Sequence, residues 1–276
     1  MSTDSGLRQY QAPGHRLTFS GVVRSEWIKF WSVRSIVVGM GVAALLVVGV
    51  GTTLAAVGAG VAQDAGAGEA VSGAQALEVS LTGAQLATLV VAAIGVVTIT
   101  GEYSTGAIRT SLAVVPRRLP VLWAKAVVLG VAVPLVLGTA VLVTFVVGQV
   151  LLSGSGGGVG ISEPEVVRLL LGNVFVLTGT AVAGLGLGAL LRSATGAVCS
   201  LVGLLFVLPA VVLLLPPFPG RSLLTQYGLS TSTSALTTTL PVETGAPSAL
   251  TGGLAFTAWT VALLLCGALA LRRRAA

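Results

Sequence analysis

The chain has 276 residues, of which 54% are hydrophobic and only 9% charged, with a mean hydropathy of +0.99. A soluble domain carries about 25% charged residues, so this composition excludes an ordinary water-soluble fold and predicts one integral membrane domain, all-α in class. The net charge of +6 would suggest nucleic acid as a partner of a soluble chain; along a membrane chain its placement decides its meaning, and no nucleic-acid partner is expected.

Residues 1–35 read as a polar tail ending in an amphipathic segment. They are too long and too polar for the start of a signal peptide, so the first apolar run is read as a retained anchor. From Phe19 to Trp31 the residues Phe19, Val22, Val23, Trp27, Phe30 and Trp31 recur at helical spacing, with Ser25, Lys29 and Ser32 opposite. Ser20 is the expected N-cap. Such a helix suits the inner membrane interface, with Trp27 and Trp31 at headgroup depth. Glu26 falls in the middle of the apolar stripe, where an unpaired carboxylate is costly. Two readings stand: it turns into protein to meet a cation, or it bends toward headgroups.

Six apolar segments are long enough to span a bilayer: 36–58, 83–100, 121–149, 166–191, 194–215 and 249–271. Together they make a membrane domain over 36–271, followed by a basic tail, 272–276. The second is the shortest. Between the second and third lies a charged island, Gly101 to Lys125, GEYSTGAIRTSLAVVPRRLPVLWAK, holding Glu102, Arg109, Arg117, Arg118 and Lys125. An Arg or Lys at mid-helix costs about 2.5 to 3.5 kcal/mol on insertion scales, so the island is expected in water. Ser104 or Thr105 can cap a short helix within it that Pro116 ends.

The third and fifth segments contain Pro134 and Pro209, which membrane helices tolerate. Gly154 to Gly160 has the glycine content of a phosphate loop, but no Gly-Lys-Ser/Thr follows and it is read as a turn. In the fourth segment Thr180, Gly184 and Gly188 form a small-residue face; packing within one bundle is favoured over a dimer seam. The stretch from Pro216 to Ser248, punctuated by Pro and rich in Ser and Thr, is expected to hold a short outer or re-entrant helix around 223–240. Cys199 and Cys266 both fall in apolar runs, which argues against a disulfide framework or a zinc site.

With the N-terminus in the cytoplasm, thirteen of the fifteen basic residues fall on the inner side, and only Arg168 and Arg221 lie outside. Asp64, Glu69, Glu78, Glu163, Glu165 and Glu243 lean the other way, into outer loops. The positive-inside rule therefore predicts both termini in the cytoplasm.

Two motifs carry a family likeness. Ser25-Glu26-Trp27-Ile28-Lys29 precedes the first span, and Gly101-Glu102-Tyr103-Ser104-Thr105-Gly106-Ala107-Ile108-Arg109 is followed by Pro116-Arg117-Arg118 and Lys125. With six spans and both ends inside, the chain resembles the membrane subunits of ABC transporters of the type-2 exporter class over nearly its whole length. The resemblance implies a half-transporter of the bacterial plasma membrane that pairs with a second membrane subunit and binds a separate cytoplasmic ABC ATPase. It also implies an N-terminal elbow helix and a cytoplasmic coupling helix between spans two and three, both touching the ATPase. By matching position, Glu26 and Lys29 belong to the elbow, and Glu102, Tyr103, Arg109, Pro116, Arg117, Arg118 and Lys125 to the coupling element.

The chain has no Gly-Lys-Ser/Thr after a glycine loop and no acidic strand end to hold magnesium, so ATP is expected to be used by the partner subunit and no cofactor by this chain. His15 is the sole histidine, and no catalytic constellation can be assembled, which argues against an enzyme. Proton- or sodium-driven carriers need ionisable residues near mid-membrane, and none lies well inside a span. The interior offers Gln85, Thr88, Thr98, Thr139, Thr144, Asn173 and Thr178, which suits an amphipathic or apolar cargo. The expected function is thus an ATP-driven exporter subunit; the alternative is a non-transporting anchor or sensor partner that docks a cytoplasmic signalling protein.

Overall fold

Long runs of Leu, Val, Ala and Gly supply no side-chain donors, so in an apolar medium the backbone has to satisfy its own hydrogen bonds, which helices do. The computed structural model describes residues 18–64, 73–104, 118–153, 160, 163–216, 218–239 and 247–273, and within these it is all-α. Six helices are long and apolar enough to cross a membrane: Arg34–Gly60, Ala76–Tyr103, Leu119–Leu151, Pro164–Leu191, Ala194–Leu214 and Ala249–Arg273. They are spans one to six below. Five cover their expected segments, the fifth stops one residue short at Leu214, and the second begins seven residues earlier than expected, at Ala76, so that Glu78 lies in a helix and not in a loop. Leu214, Leu250, Leu45 and Val150 are each more than two-thirds exposed on the bundle surface. Such a surface requires lipid or a partner around it, and the chain is built as a multi-pass membrane protein.

Span four is the axis of the bundle and packs against spans two, three, five and six. Its small residues permit this. A Cβ at Gly184 would stand 2.6 Å from the Ala92 carbonyl oxygen of span two, and one at Gly186 would stand 2.5 Å from the Leu263 carbonyl of span six. The Thr180, Gly184, Gly188 face is therefore spent on packing inside one chain, as favoured from the sequence.

Two departures from regular helix were not expected from sequence. Span one widens to a π-helical turn at Leu46–Val50, and span five does so at Gly203–Val207, just ahead of Pro209. In the second case the wider turn accommodates a ring that cannot donate to the preceding turn. In the first, the Thr144 hydroxyl of span three donates to the Val47 carbonyl at 3.1 Å. The helix of span three runs from Arg118 to Ser153 through Pro134 without a break.

An N-terminal helix, Phe19–Ser32, lies against spans one and three at one end of the bundle. At the far end, the stretch between spans five and six forms two short helices, Arg221–Tyr227 and Leu229–Thr237. The second is tied down at its C-terminal end, and the first at its last residue. Glu78 accepts hydrogen bonds from the Thr238 hydroxyl and from both the backbone N–H and hydroxyl of Thr239, at 2.5 to 2.6 Å. Arg168 donates to the carbonyls of Ala235 and Thr238, and the Trp259 indole of span six to that of Tyr227. The arginine thereby satisfies carbonyls left over at a helix C-terminus.

Candidate functional site

The buried face of the N-terminal helix is the stripe Val22, Glu26, Phe30, one residue per turn. Phe30 is 2% exposed and belongs to the core, against which Val23 and Trp27 also pack. These apolar neighbours carry the Glu26 carboxylate inward with them. Helix entry is capped by Thr18, whose hydroxyl accepts from the Gly21 N–H. Ser20, the expected cap, sits two residues inside and hydrogen-bonds to the Thr18 hydroxyl.

Buried between helices, Glu26 meets a cation, as one of the two sequence readings required. Its Oε2 accepts from Lys125 Nζ at 2.6 Å and its Oε1 from Lys29 Nζ at 2.7 Å. Lys125 also donates to Glu102 Oε1 at 2.9 Å, and Lys29 reaches the same oxygen at 3.4 Å. Four residues from three elements thus alternate in sign around a closed ring: Glu26 and Lys29 from the N-terminal helix, Glu102 from the last turn of span two, and Lys125 from span three. The Glu26 and Lys125 side chains are each 4% exposed, while Lys29 at 45% faces outward.

The electrostatics follow from this arrangement. Burial pushes the Glu26 carboxyl up, but the Lys125 and Lys29 ammonium groups outweigh it and hold the group below the usual carboxylate range. Burial pulls Lys29 down, and its contacts with Glu26 and Glu102 outweigh that and raise it above the usual lysine range. Glu102 stands at a helix C-terminus, where the dipole disfavours an anion; its two lysine contacts compensate. As a whole the ring is neutral, so it can be buried where a lone charge could not.

This corrects the extent of the island. Gly101 to Ser104 complete the helix of span two, and Lys125 stands two turns inside the helix that starts at Arg118. Neither Glu102 nor Lys125 needs water, because each neutralises the other. Tyr103 points elsewhere: the Arg192 guanidinium lies 5.4 Å from its ring centroid, an interaction worth about 0.5 to 2 kcal/mol. Arg192 forms the turn between spans four and five in the left-handed region, φ 54°, and its N–H closes on the Gly188 carbonyl.

Of the nine residues singled out from the sequence, Glu26, Lys29, Glu102 and Lys125 come together and Tyr103 lies beside them. Arg109, Pro116 and Arg117, with the expected short helix, lie outside the described residues, and Arg118 is described only as the first residue of the span-three helix. Sequence reasoning missed Arg192 as a partner of Tyr103 and Glu78 as a clasp. A carboxylate within a few residues of an apolar run was the available signal for the second.

At the far end, a cavity of about 180 Å³ lies between spans two, four and five and the helix Leu229–Thr237. Among the polar residues expected inside, Gln85, Thr88 and Asn173 line it. Thr139 is exposed on the outside of span three instead.

A scan against protein-family models finds no match to this chain, and a search of the curated proteins finds none either.

Proposed function

We propose that this chain is the membrane-spanning subunit of an ATP-driven transporter of the type-2 exporter class, working in the plasma membrane with a separate cytoplasmic ATPase and a second membrane subunit. The observation that carries this reading is the closed ring of Glu26, Lys29, Glu102 and Lys125. It fastens the N-terminal helix to the ends of spans two and three, between which residues 105–117 emerge.

An ATPase can drive the membrane subunit only if it contacts two of its conformations with different free energy. A helix joined to two spans by short charge-assisted bonds moves with them, so a push on the N-terminal helix or on residues 105–117 reaches the bundle. In this reading the ring is the joint that makes the elbow and the coupling element one body. The basic excess at this end, including Arg272 and Arg273 in the last turn of span six, supports a cytoplasmic location. The cargo is read as amphipathic or apolar, since the described interior polar groups are uncharged apart from the ring and the far-end clasp.

The test is co-purification with candidate ATPases, followed by crosslinking from cysteines introduced at Thr105 and Leu112, with Cys199 and Cys266, both exposed, replaced first. Nucleotide-sensitive crosslinks to an ATPase are expected. Failure with every ATPase encoded beside this gene, or crosslinks to a kinase or regulator instead, would overturn the transporter reading in favour of an anchor or sensor.

A further inference from the structure

The cavity at the far end has a composition that ordinary packing does not require. Its floor is the helix Leu229–Thr237, and the residues that helix offers are Ser230, Thr233, Ser234 and Thr237. Their spacing is three, one and three, so they form one continuous hydroxyl face of the helix. That face lines the cavity, half-buried at Ser230, Thr233 and Ser234 and buried at Thr237, while Ala235 and Ser232 pack on Gly252 of span six. The opposite wall carries Thr88 of span two and Asn173 of span four.

Asn173 is the sharpest observation. It is 3% exposed, and its Nδ2 donates to the Leu169 carbonyl at 2.9 Å. Its amide lines the cavity, and the Oδ1 acceptor can take a hydrogen bond from a molecule that enters there. The hydroxyls of Thr88, Thr233, Ser234 and Thr237 each donate within their own helix. Their remaining lone pairs can accept from a ligand.

Among the described residues no ionisable side chain lines the cavity. Such a lining suits an uncharged molecule that brings hydrogen-bond donors. Leu205, Val176 and Leu177 complete the lining with apolar surface, and Gln85 and Phe206 are exposed at its edge. An apolar tail can leave at that edge along span five, where Phe206 and Val207 are each more than half exposed.

We propose that this cavity is a binding site for an uncharged amphiphile whose headgroup carries hydroxyl or amide donors. Its existence stands on the cavity alone. Only its use as a cargo site rests on the transporter reading.

The experiment uses the full chain in lipid nanodiscs, without any ATPase, with Cys199 and Cys266 replaced and Ser234→Cys introduced as a reporter. Alkylation of that cysteine by N-ethylmaleimide is followed as 1-monooleoylglycerol, uncharged with two hydroxyls, or oleoyl lysophosphatidic acid, of the same chain but anionic, is added. Monooleoylglycerol is expected to protect the cysteine and the anionic lipid is not. Asn173→Leu is expected to weaken that protection about tenfold, the loss of one hydrogen bond to a buried group, with Thr88→Val as the second variant should Asn173→Leu not fold. Absence of protection, equal protection by both lipids, or protection unchanged in both variants would overturn the site. None of these results bears on coupling to an ATPase.

Discussion

Replacing Lys125 by Met tests whether the ring holds the N-terminal helix to the ends of spans two and three, since it removes the inner ammonium and keeps most of the side-chain volume. Lys125 Nζ lies 2.6 Å from a Glu26 oxygen and 2.9 Å from a Glu102 oxygen, so those two oxygens are at most about 5.5 Å apart. Without the lysine the carboxylates face one another with only half-exposed Lys29 between them. At an effective dielectric near 20, two charges about 5 Å apart repel by about 3 kcal/mol. Removing one partner of a buried pair costs about 3 to 5 kcal/mol in general.

The protein has one escape, which is to protonate Glu26. At pH 7 that costs about 4 kcal/mol relative to an ordinary carboxylate of pKa about 4.3, and at pH 5 only about 1 kcal/mol. Lys125→Met is therefore expected to lose about 3 to 4 kcal/mol at pH 7 and about 1 kcal/mol at pH 5. The double variant Glu26→Gln/Lys125→Met, which leaves Glu102 with Lys29, should recover at least about 1 kcal/mol of the loss at pH 7. The assay is reversible unfolding of the purified chain in mixed micelles by SDS titration at both pH values. A Lys125→Met chain within about 0.5 kcal/mol of the parent at pH 7, the scatter of an ordinary surface substitution, or one whose loss is independent of pH, would refute the reasoning.

Wild-type pH dependence follows with the sign fixed by direction. Glu26 is held below its ordinary value, so its contribution is present above about pH 4.3 and is lost as pH falls through the lower folded value. Lys29 is raised, so its contribution persists below about pH 10.4 and is lost only at higher pH, and solvent screening makes it small. Stability in the same titration is expected to be flat from about pH 5 to 10 and to fall in acid. At the far end, Glu78→Gln replaces a carboxylate that accepts three hydrogen bonds; hydrogen exchange over Leu229–Thr237 should quicken by about 2 kcal/mol of lost protection. Gly184→Leu, which meets the Ala92 backbone, should cost at least about 3 kcal/mol or prevent folding, whereas Gly130→Leu, with open space around it, should cost under about 1 kcal/mol in thermal unfolding.

Much of the architecture could be read from the chain because the medium leaves few alternatives. Apolar runs longer than a bilayer's thickness become helices, and all six appear where hydropathy located them. Glu26 was legible in part: a carboxylate within the stripe Val22, Phe30 needs either a cation or the headgroups, and the fold supplies the cation. Lys125 was harder to locate, because basic residues were assigned to water one at a time, whereas Lys125 is tolerated two turns into a helix as a member of a neutral ring. Helix ends shifted on a similar ground. Glu78 and Glu102 continue span two at both ends because Thr238 and Thr239 solvate the first and two lysines the second. The π-helical turns depend on contacts distant in sequence, such as that of Thr144 with Val47, and no local pattern encodes them. The hydroxyl face at 230, 233, 234 and 237 was present in the sequence as Ser/Thr richness, but only the fold sets it along a cavity.

The most direct test of the ring as a coupling joint is ATP turnover by the partner ATPase, co-reconstituted in proteoliposomes with the parent chain or with Glu102→Gln. Glu102 is 14% exposed at the outer edge of the ring, and Glu102→Gln keeps its size and can still hydrogen-bond to the lysines, so the substitution should leave insertion and ATPase binding intact. The account predicts that the parent chain changes the ATPase rate severalfold and that Glu102→Gln binds equally but loses most of that effect. An identical rate with both chains, at equal ATPase occupancy, would contradict it.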